Sequence, residues 1–399
     1  MFADNMPPRR TKHIADKKNI HLTILSRVTS SPRLSYTCSM IEMQYNFPLL
    51  PTQGKQWQQR LADAVAALVP DDSDQLRPTF RQQRAGTYAA HRNAAAKWLQ
   101  SDPVNTWITC GGHHGTLVSL LAAGLAGKPI AVEAVTYTGI LEQARMLGCP
   151  LIALDYDAEG MTPASLRAVC ESHGVAAIYT MPTVHNPLGC VAGLARRQAI
   201  VAAAREFDIL IIEDDAYGYM APAAAPNYAM LAPERAFYVR GLAKSYAPAT
   251  RTGFLIAPSR FASAVDAAIK NSTTGTSLPH NAAALSLIAD GSLDQLMQQK
   301  LIEGAQRNAA ARAILGDSAA PGAKSAWHLW ITLPAGLDAP TAQRLCEERG
   351  ALVSGAQGFT VPGTPTAKGM RVALGGELDP ARTLEGVKIV ADVLNGPRL

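Results

Sequence analysis

Side chains able to do chemistry follow several short apolar runs of the sequence. Asp214 follows one run, Asn186 follows another, and Lys244 follows a third. Upstream, Gly111 and Gly112 begin a predicted helix, where glycines can leave N–H groups free to bind a phosphate. Each feature alone has an ordinary explanation, such as a turn, a helix cap or a solvated lysine. Their order and spacing together indicate an active site.

The apolar runs themselves predict the strands of an α/β domain. Short runs that are mostly apolar suit parallel strands covered on both faces, and between two of them residues 194–207 show helical spacing. Ligands of such sheets bind beyond the carboxyl ends of the strands. We therefore predict a doubly wound, mostly parallel sheet with the polar groups along one edge. The predicted strands are Pro129–Glu133, Ala176–Thr180, Ile209–Glu213, Ala236–Arg240 and Gly253–Ala257.

The pattern of apolar residues changes after about residue 295. A long helical pattern leads to short strands and two further helices, which predicts a smaller α+β domain. Residues 45–69 are expected to pack with it, so that both chain ends build the small domain. We divide the chain into a disordered leader at 1–42, an N-terminal arm of the small domain at 43–85, a large domain at 86–295 and a C-terminal small domain at 296–399.

Composition argues against several classes of protein. The net charge is +5, but residues 1–42 carry most of it, so the rest is nearly neutral and offers no surface for nucleic acid. The leader has no secretory h-region, and Met40 and Met43 are alternative start sites. No apolar stretch approaches the roughly 20 residues of a membrane helix. Six scattered cysteines without a CxxC pair indicate reduced thiols. We expect a cytoplasmic protein without a metal site.

Taken together, the chemical groups resemble fold type I enzymes that use pyridoxal 5'-phosphate, the aspartate-aminotransferase superfamily. The resemblance is to class I and II aminotransferases, including the aminotransferase domain of MocR-type proteins, and it extends from about Tyr45 to the end of the chain. The segments that carry it are Gly111-Gly112, Thr136 to Gly139, Asn186-Pro187-Leu188-Gly189, Asp214 to Tyr217, Lys244, Arg251, Trp327 to Trp330, and Gly369-Met370-Arg371.

This resemblance implies pyridoxal 5'-phosphate as the cofactor and a role for each residue. Lys244 would hold the cofactor as a Schiff base and then shuttle a proton. Asp214, rather than Asp215, would pair with the ring nitrogen, and Arg371 would clamp the substrate carboxylate. Tyr217 would join Lys244 and Asp214 in catalysis. The other implied cofactor contacts are Gly111, the N–H groups of Gly112 and His113, the Arg251 guanidinium, the Tyr137 ring, Tyr217, and Asn186, which would also contact substrate.

The sequence departs from the family pattern beside the lysine. Gly241 and Ala243 stand where the family usually has hydroxyl residues, so one phosphate ligand is missing unless Ser245 or Tyr246 replaces it. We interpret Gly241 as a vacant phosphate contact. The pair His113-His114 is also unusual, and contact with substrate, helix capping and simple exposure all stay open.

The resemblance implies a homodimeric aminotransferase that moves an amino group between an α-amino acid and a 2-oxo acid. Two alternatives stay open. One is another reaction of the same cofactor, such as elimination, decarboxylation or oxidation, in a biosynthetic pathway. The other is a cofactor-sensing regulator. Against it stand the nearly neutral body and the short segment before Tyr45, which leaves no room for a winged helix.

Overall fold

The computed structural model describes residues 40–68 and 89–396. Most of the predicted leader, and residues 69–85 of the predicted arm, therefore lie outside the described residues. At the end of the leader the expectation of disorder is wrong. Ile41 and Glu42 form a strand that pairs in parallel with Ala351 and Leu352, because the Ile41 side chain is buried in the C-terminal core.

A seven-stranded sheet lies at the centre of the described chain. Numbered in chain order, the strands are β1 Ile41–Glu42, β2 Thr106–Thr109, β3 Ile130–Glu133, β4 Leu151–Leu154, β5 Tyr156–Asp157, β6 Gly160–Met161, β7 Ala177–Thr180, β8 Leu210–Asp214, β9 Ala236–Gly241, β10 Gly253–Ile256, β11 His328–Thr332, β12 Ala351–Leu352, β13 Ser354–Gly355 and β14 Gly369–Ala373. The central sheet has the order β2-β10-β9-β8-β7-β3-β4. Strand β10 runs antiparallel to both of its neighbours, β2 and β9, and the other pairs in this sheet are parallel.

The five predicted strands are confirmed to within one or two residues, and they lie in the interior of this sheet. The prediction missed β2 and β4, which are its two edge strands. Thr106 and Thr109 at the ends of β2 interrupt its apolar character, whereas β4 is apolar throughout and resembles the strands that were predicted. The α/β fold class is confirmed.

Helices cover the sheet and continue into the C-terminal part. Among the described residues, side-chain caps start four of them, at Thr162, Asn227, Asp338 and Asp379. None of the helices in the described ranges is long and apolar enough to cross a membrane. They are α1 Gln53–Leu68, α2 Ala89–Leu99, α3 Gly112–Ala122, α4 Thr138–Met146, α5 Pro163–His173, α6 Leu194–Glu206, α7 Tyr228–Leu231, α8 Leu242–Ser245, α9 Ala262–Thr273, α10 Leu278–Ala289, α11 Ser292–Leu315, α12 Ala339–Glu348 and α13 Pro380–Asn395.

A second core forms between the three-stranded sheet β11-β14-β13 and helices α12 and α13. The long helix α11 reaches both cores. Near its start, Leu296 packs in the cluster that contains Tyr246, and near its end Leu315 packs in the cluster that contains Leu329 and Val372. Helix α11 therefore links the sheet that carries the site to the C-terminal core.

Helix α1 packs on α10 rather than on the C-terminal core. Its Trp57 ring lies 5.9 Å from the Tyr246 ring and 6.0 Å from the His280 ring, measured between centroids. The expectation that residues 45–69 pack with the small domain is therefore wrong for this helix, because its apolar face is buried against large-domain residues. Only the short segment before it, through Ile41 and Met43, joins the C-terminal core.

Replacement of Gly304 by Ala tests the packing of α11. A Cβ at this position would meet the Trp327 indole nitrogen and would lie 2.7 Å from the Ser325 carbonyl oxygen. We expect the free energy of unfolding to fall by about 1–3 kcal/mol, measured by denaturant titration.

The matched control is Gly54→Ala in α1, where a Cβ has nothing within 4 Å. Here the helix propensity of alanine should leave stability equal or raise it by up to about 1 kcal/mol. Equal effects of the two substitutions would contradict the close packing at Gly304.

Candidate active site

The predicted site residues meet at the edge of the central sheet where the parallel strands end. Two adjoining cavities lie there, the first of about 350 Å³ and the second of about 510 Å³. Lys244, Asn186, Tyr137 and Tyr217 line both. Every residue predicted for the site lines at least one of the two. The first cavity adds Gly111, Gly112, His113, Asp214 and Arg251, and the second adds Arg371.

A glycine turn forms one end of the first cavity. Gly111 has φ 93°, in the left-handed region that favours glycine, and helix α3 begins at Gly112 without a side-chain cap. The first N–H groups of a helix have no partner within it. The turn therefore offers N–H donors and the positive end of a helix dipole to an anion.

The two adjacent histidines have different surroundings. His114 is buried, accepts a hydrogen bond from Cys110 N–H at Nδ1 (3.0 Å) and pairs with Ser272 through Nε2 (2.8 Å). Burial, followed by the charge of Arg251, lowers the pKa of His114 to about 4. His113 instead lines the first cavity, edge-on to the Tyr137 ring. His114 thus holds the turn together, whereas His113 faces the ligand space.

Arg251 places a cation beside this turn. Its backbone is left-handed (φ 46°), and its guanidinium donates to the Cys110 carbonyl at 3.0 Å. It precedes β10, and because β10 runs antiparallel its start lies at the same sheet edge as the ends of the other strands. The exposed guanidinium and the free N–H groups of the turn together form an anion-binding end.

Gly241 is a packing requirement rather than a vacant contact, which corrects our interpretation of the sequence. A Cβ at Gly241 would lie 2.8 Å from Gly112 N and 3.1 Å from Gly112 Cα, because the end of β9 lies against the glycine turn. The suggested replacements, Ser245 and Tyr246, do not line the cavity, and the Tyr246 hydroxyl bonds to Gln53 and Gln56 instead. Neither residue supplies the missing hydroxyl.

Asp214 ends β8 and is buried at the floor of the first cavity. Its carboxylate accepts a hydrogen bond from the Tyr179 hydroxyl on β7 at 2.9 Å. Burial raises the pKa of Asp214 to about 6, a rise that this hydrogen bond opposes and the neighbouring Asp215 increases. A cationic partner in the cavity would restore the charged form.

Asp215 belongs to a different environment. Its carboxylate accepts from the Tyr238 hydroxyl at 2.5 Å, and it lines neither cavity. Consecutive side chains at the end of a strand point to opposite sides. The structure therefore separates two acids that the sequence presents side by side.

Lys244 lies on the short helix α8, between the two cavities. Its Nζ donates to the Asn46 carbonyl at 2.6 Å and lies 3.5 Å from the centre of the Phe47 ring. Burial, followed by the charge of Arg371, lowers the pKa of the Lys244 amine well below its ordinary value, while Asp214 opposes this shift. The amine is therefore biased toward its neutral, nucleophilic form.

Arg371, on β14, connects the second cavity to the first. Its guanidinium donates to Asn186 Oδ1 at 2.7 Å and to the Gln44 carbonyl at 2.5 Å, and it packs 4.9 Å from the Phe359 ring. The side chain is buried, and its Nε has no hydrogen-bond partner within the described ranges. This fork is suited to a carboxylate.

Sequence reasoning missed several groups that shape the site. Asn46 and Phe47 contact Lys244 from a segment about 200 residues earlier, and no local sequence pattern predicts that contact. His328 packs against the Tyr217 ring at 5.3 Å and pairs with Asn46. Tyr179 did leave a signal, because a tyrosine in a buried strand needs a partner for its hydroxyl.

Known proteins of two kinds resemble this chain in sequence. The HTH-type transcriptional regulator YdeF of Bacillus subtilis is 22% identical, over 74% of this chain and 65% of that protein. The 2-aminoadipate transaminase of Thermus thermophilus is 25% identical, over 77% of this chain and 80% of that protein. The chain thus spans less than two thirds of the length of YdeF.

Solved structures show the same fold. The α-aminoadipate aminotransferase LysN of Thermus thermophilus, complexed with N-(5'-phosphopyridoxyl)-L-leucine, superposes with a TM-score of 0.78 at 21% identity, covering 90% of this chain and 92% of that one. The family model for aminotransferase class I and II matches residues 53–384, and the chain belongs to this family.

Proposed function

We propose that the protein is a pyridoxal-phosphate-dependent aminotransferase acting between an α-amino acid and a 2-oxo acid. The observation that carries the proposal is the arrangement around one cavity. A buried amine (Lys244), a buried carboxylate (Asp214) and an anion-binding end (Gly112, Arg251) line its walls, and a carboxylate-binding arginine (Arg371) lies next to it. Family membership supports the same activity.

The residues present fit the cofactor at three separate points. The free N–H groups of the glycine turn and the Arg251 guanidinium suit its phosphate. Asp214 is a carboxyl that burial biases toward the neutral form, and a protonated ring nitrogen would stabilise its charge. Lys244 carries the amine that the cofactor aldehyde requires. In the proposed site Tyr137, Asn186 and Tyr217 contact the ring between these points.

The bound cofactor supplies an aldehyde that condenses with amines and a ring that accepts the electron pair of a broken Cα–H bond. The chain's own residues do the rest. Lys244 Nζ, held at the junction of the cavities, would remove the proton from the Cα of the amino-acid donor and, in the second half-reaction, deliver a proton to the carbon that comes from the 2-oxo acid. Asp214 would keep the ring nitrogen of the cofactor protonated through its charge, and the Tyr179 hydroxyl keeps that carboxylate oriented.

Arg371 binds the α-carboxylate of the substrate in this proposal. Two of its nitrogens already face oxygen acceptors, the Asn186 amide and the Gln44 carbonyl, so the guanidinium is oriented before substrate arrives. A forked contact to a carboxylate fixes the direction of the Cα–H bond relative to Lys244. Asn186 thereby serves both the substrate-binding arginine and the ring.

Homodimerisation, which the family resemblance implies, and a cytoplasmic location, which the scattered cysteines suggest, stay predictions. A second candidate function is cofactor sensing, which the similarity to HTH-type regulators favours. A sensor would bind cofactor and amino acid without sustained turnover.

Turnover with a panel of amino acids and 2-oxoglutarate tests the proposed function. We expect the full-length protein to convert at least one amino acid to its 2-oxo acid, and borohydride to fix the cofactor to the Lys244 peptide. Lys244→Ala should abolish both results, and Lys270→Ala, on the exposed face of α9, should change neither. Fixation at Lys244 without turnover would favour the sensor.

Asp214→Asn and Asp215→Asn compare the two adjacent acids. We expect Asp214→Asn to slow removal of the Cα proton by about 100-fold, because the ring nitrogen loses its charged partner. Asn at 215 can still accept from Tyr238, so Asp215→Asn should have less than about a tenfold effect. Single-turnover kinetics with Cα-deuterated substrate measure both. The reverse order of effects would overturn the assignment of Asp214.

Gly241→Ser should weaken cofactor binding rather than strengthen it. The new Cβ would push the glycine turn away from β9, and overpacking of this kind costs about 1–3 kcal/mol, which corresponds to about 5- to 150-fold in affinity. Ala243→Ser is the matched control, since it adds a hydroxyl to the same cavity at a residue that already has a Cβ. Equilibrium dialysis measures cofactor affinity in both variants. Tighter cofactor binding by Gly241→Ser would restore the interpretation of Gly241 as a vacant phosphate contact.

A further inference from the structure

Lys300, in the middle of α11, is a buried cation directly behind the site. Its side chain has no exposed surface, and its Nζ donates to the carbonyls of Tyr246 (2.7 Å) and Lys244 (3.1 Å). Within residues 40–68 and 89–396 no carboxylate forms an ion pair with it. Lysines are rarely buried without a charged partner, because desolvation of the ammonium is costly.

The two carbonyls do not need a cation to be satisfied. The Tyr219 hydroxyl also donates to the Lys244 carbonyl, at 3.2 Å, and the Gln53 side-chain amide donates to the Tyr246 carbonyl, at 2.6 Å. Each acceptor therefore has a neutral donor already. The feature that distinguishes Lys300 from these donors is its charge.

On the side that faces away from α8, Lys300 is held in place by Trp327. Its own carbonyl accepts from the Trp327 indole N–H at 2.9 Å, and Gly304, one turn later, lets that ring lie against the helix. The cation is thus fixed between the C-terminal core and the end of α8. Its target on α8 is the main chain of the residue whose side chain lines both cavities.

We infer that Lys300 is a positioning residue for Lys244, which holds its main chain and places a positive charge directly behind it. This inference rests on the role proposed for Lys244 above. A neutral amine is the form that attacks carbonyl carbon and accepts a proton. A nearby positive charge favours this neutral form.

The charges around the Lys244 amine agree with this role. Burial and the positive charges of Arg371 and Lys300 lower the pKa of Lys244, and the carboxylate of Asp214 raises it. Burial lowers the pKa of Lys300 itself to about 7. Below about pH 7 Lys300 is therefore mostly charged, and its charge opposes protonation of Lys244.

The experiment is competitive labelling of the full-length, cofactor-free protein with acetic anhydride from pH 5 to 10. The rate of acetylation of the Lys244 peptide, followed by mass spectrometry, gives the midpoint of its titration. We expect Lys300→Met and Lys300→Gln to raise this midpoint by about one pH unit, from the loss of one nearby charge. Lys300→Arg, which keeps the charge, should leave it unchanged.

Tyr219→Phe is the matched control, because it removes a neutral hydrogen bond to the same Lys244 carbonyl without changing charge. Its midpoint should equal that of the wild type. An unchanged midpoint in folded Lys300→Met or Lys300→Gln, or a raised one in Lys300→Arg, would overturn the inference. Labelling requires no turnover, so a protein that fails as an aminotransferase can still confirm or refute the role of Lys300.

Discussion

The site depends on the direct contact of two backbone segments, the glycine turn at Gly111–Gly112 and the end of β9 at Gly241. A Cβ at Gly241 would lie 2.8 Å from Gly112 N, and one at Gly253 would lie 2.5 Å from the Gly111 carbonyl carbon. Only glycine lets main chains approach so closely. The contact places the start of α3 beside helix α8, which carries Lys244. An anion-binding end and a reactive amine therefore line one cavity.

Charge is the second determinant of the site. Lys244, Arg251 and Arg371 line the cavities with a single carboxylate, Asp214, among the described residues. Burial lowers the pKa of Lys244 and Arg371 and raises that of Asp214, so each of these groups is more stable when a ligand supplies the opposite charge. A ligand with two anionic groups and one cationic nitrogen matches this distribution. Such complementarity favours binding as well as orientation.

The segment from Gln44 to Phe47 connects the C-terminal core to Lys244 and Arg371 in the site. It directly follows β1, which pairs with β12 of that core. Its main-chain carbonyls accept from Arg371 and Lys244, and the Phe47 ring covers the lysine amine. Movement of the C-terminal core relative to the sheet would therefore change the surroundings of Arg371 and Lys244 together. The position of β1 is thus part of the site, although it lies far from the site in sequence.

The sequence by itself determined the fold class, the interior strands of the sheet and part of the cavity lining. Apolar periodicity and the residues after each strand are local properties, and the resemblance to a known family implied the other predicted residues. Tertiary structure alone decided between neighbours with the same chemistry. It turned Asp214 toward the cavity and Asp215 toward Tyr238, and it buried His114 while His113 faces the ligand space. It also showed that Gly241 is required for close packing, that α1 packs on α10, and that Asn46 and Lys300 contact Lys244. These facts depend on segments separated by tens to hundreds of residues, and their approach is set by the packing of several elements at once rather than by any local pattern.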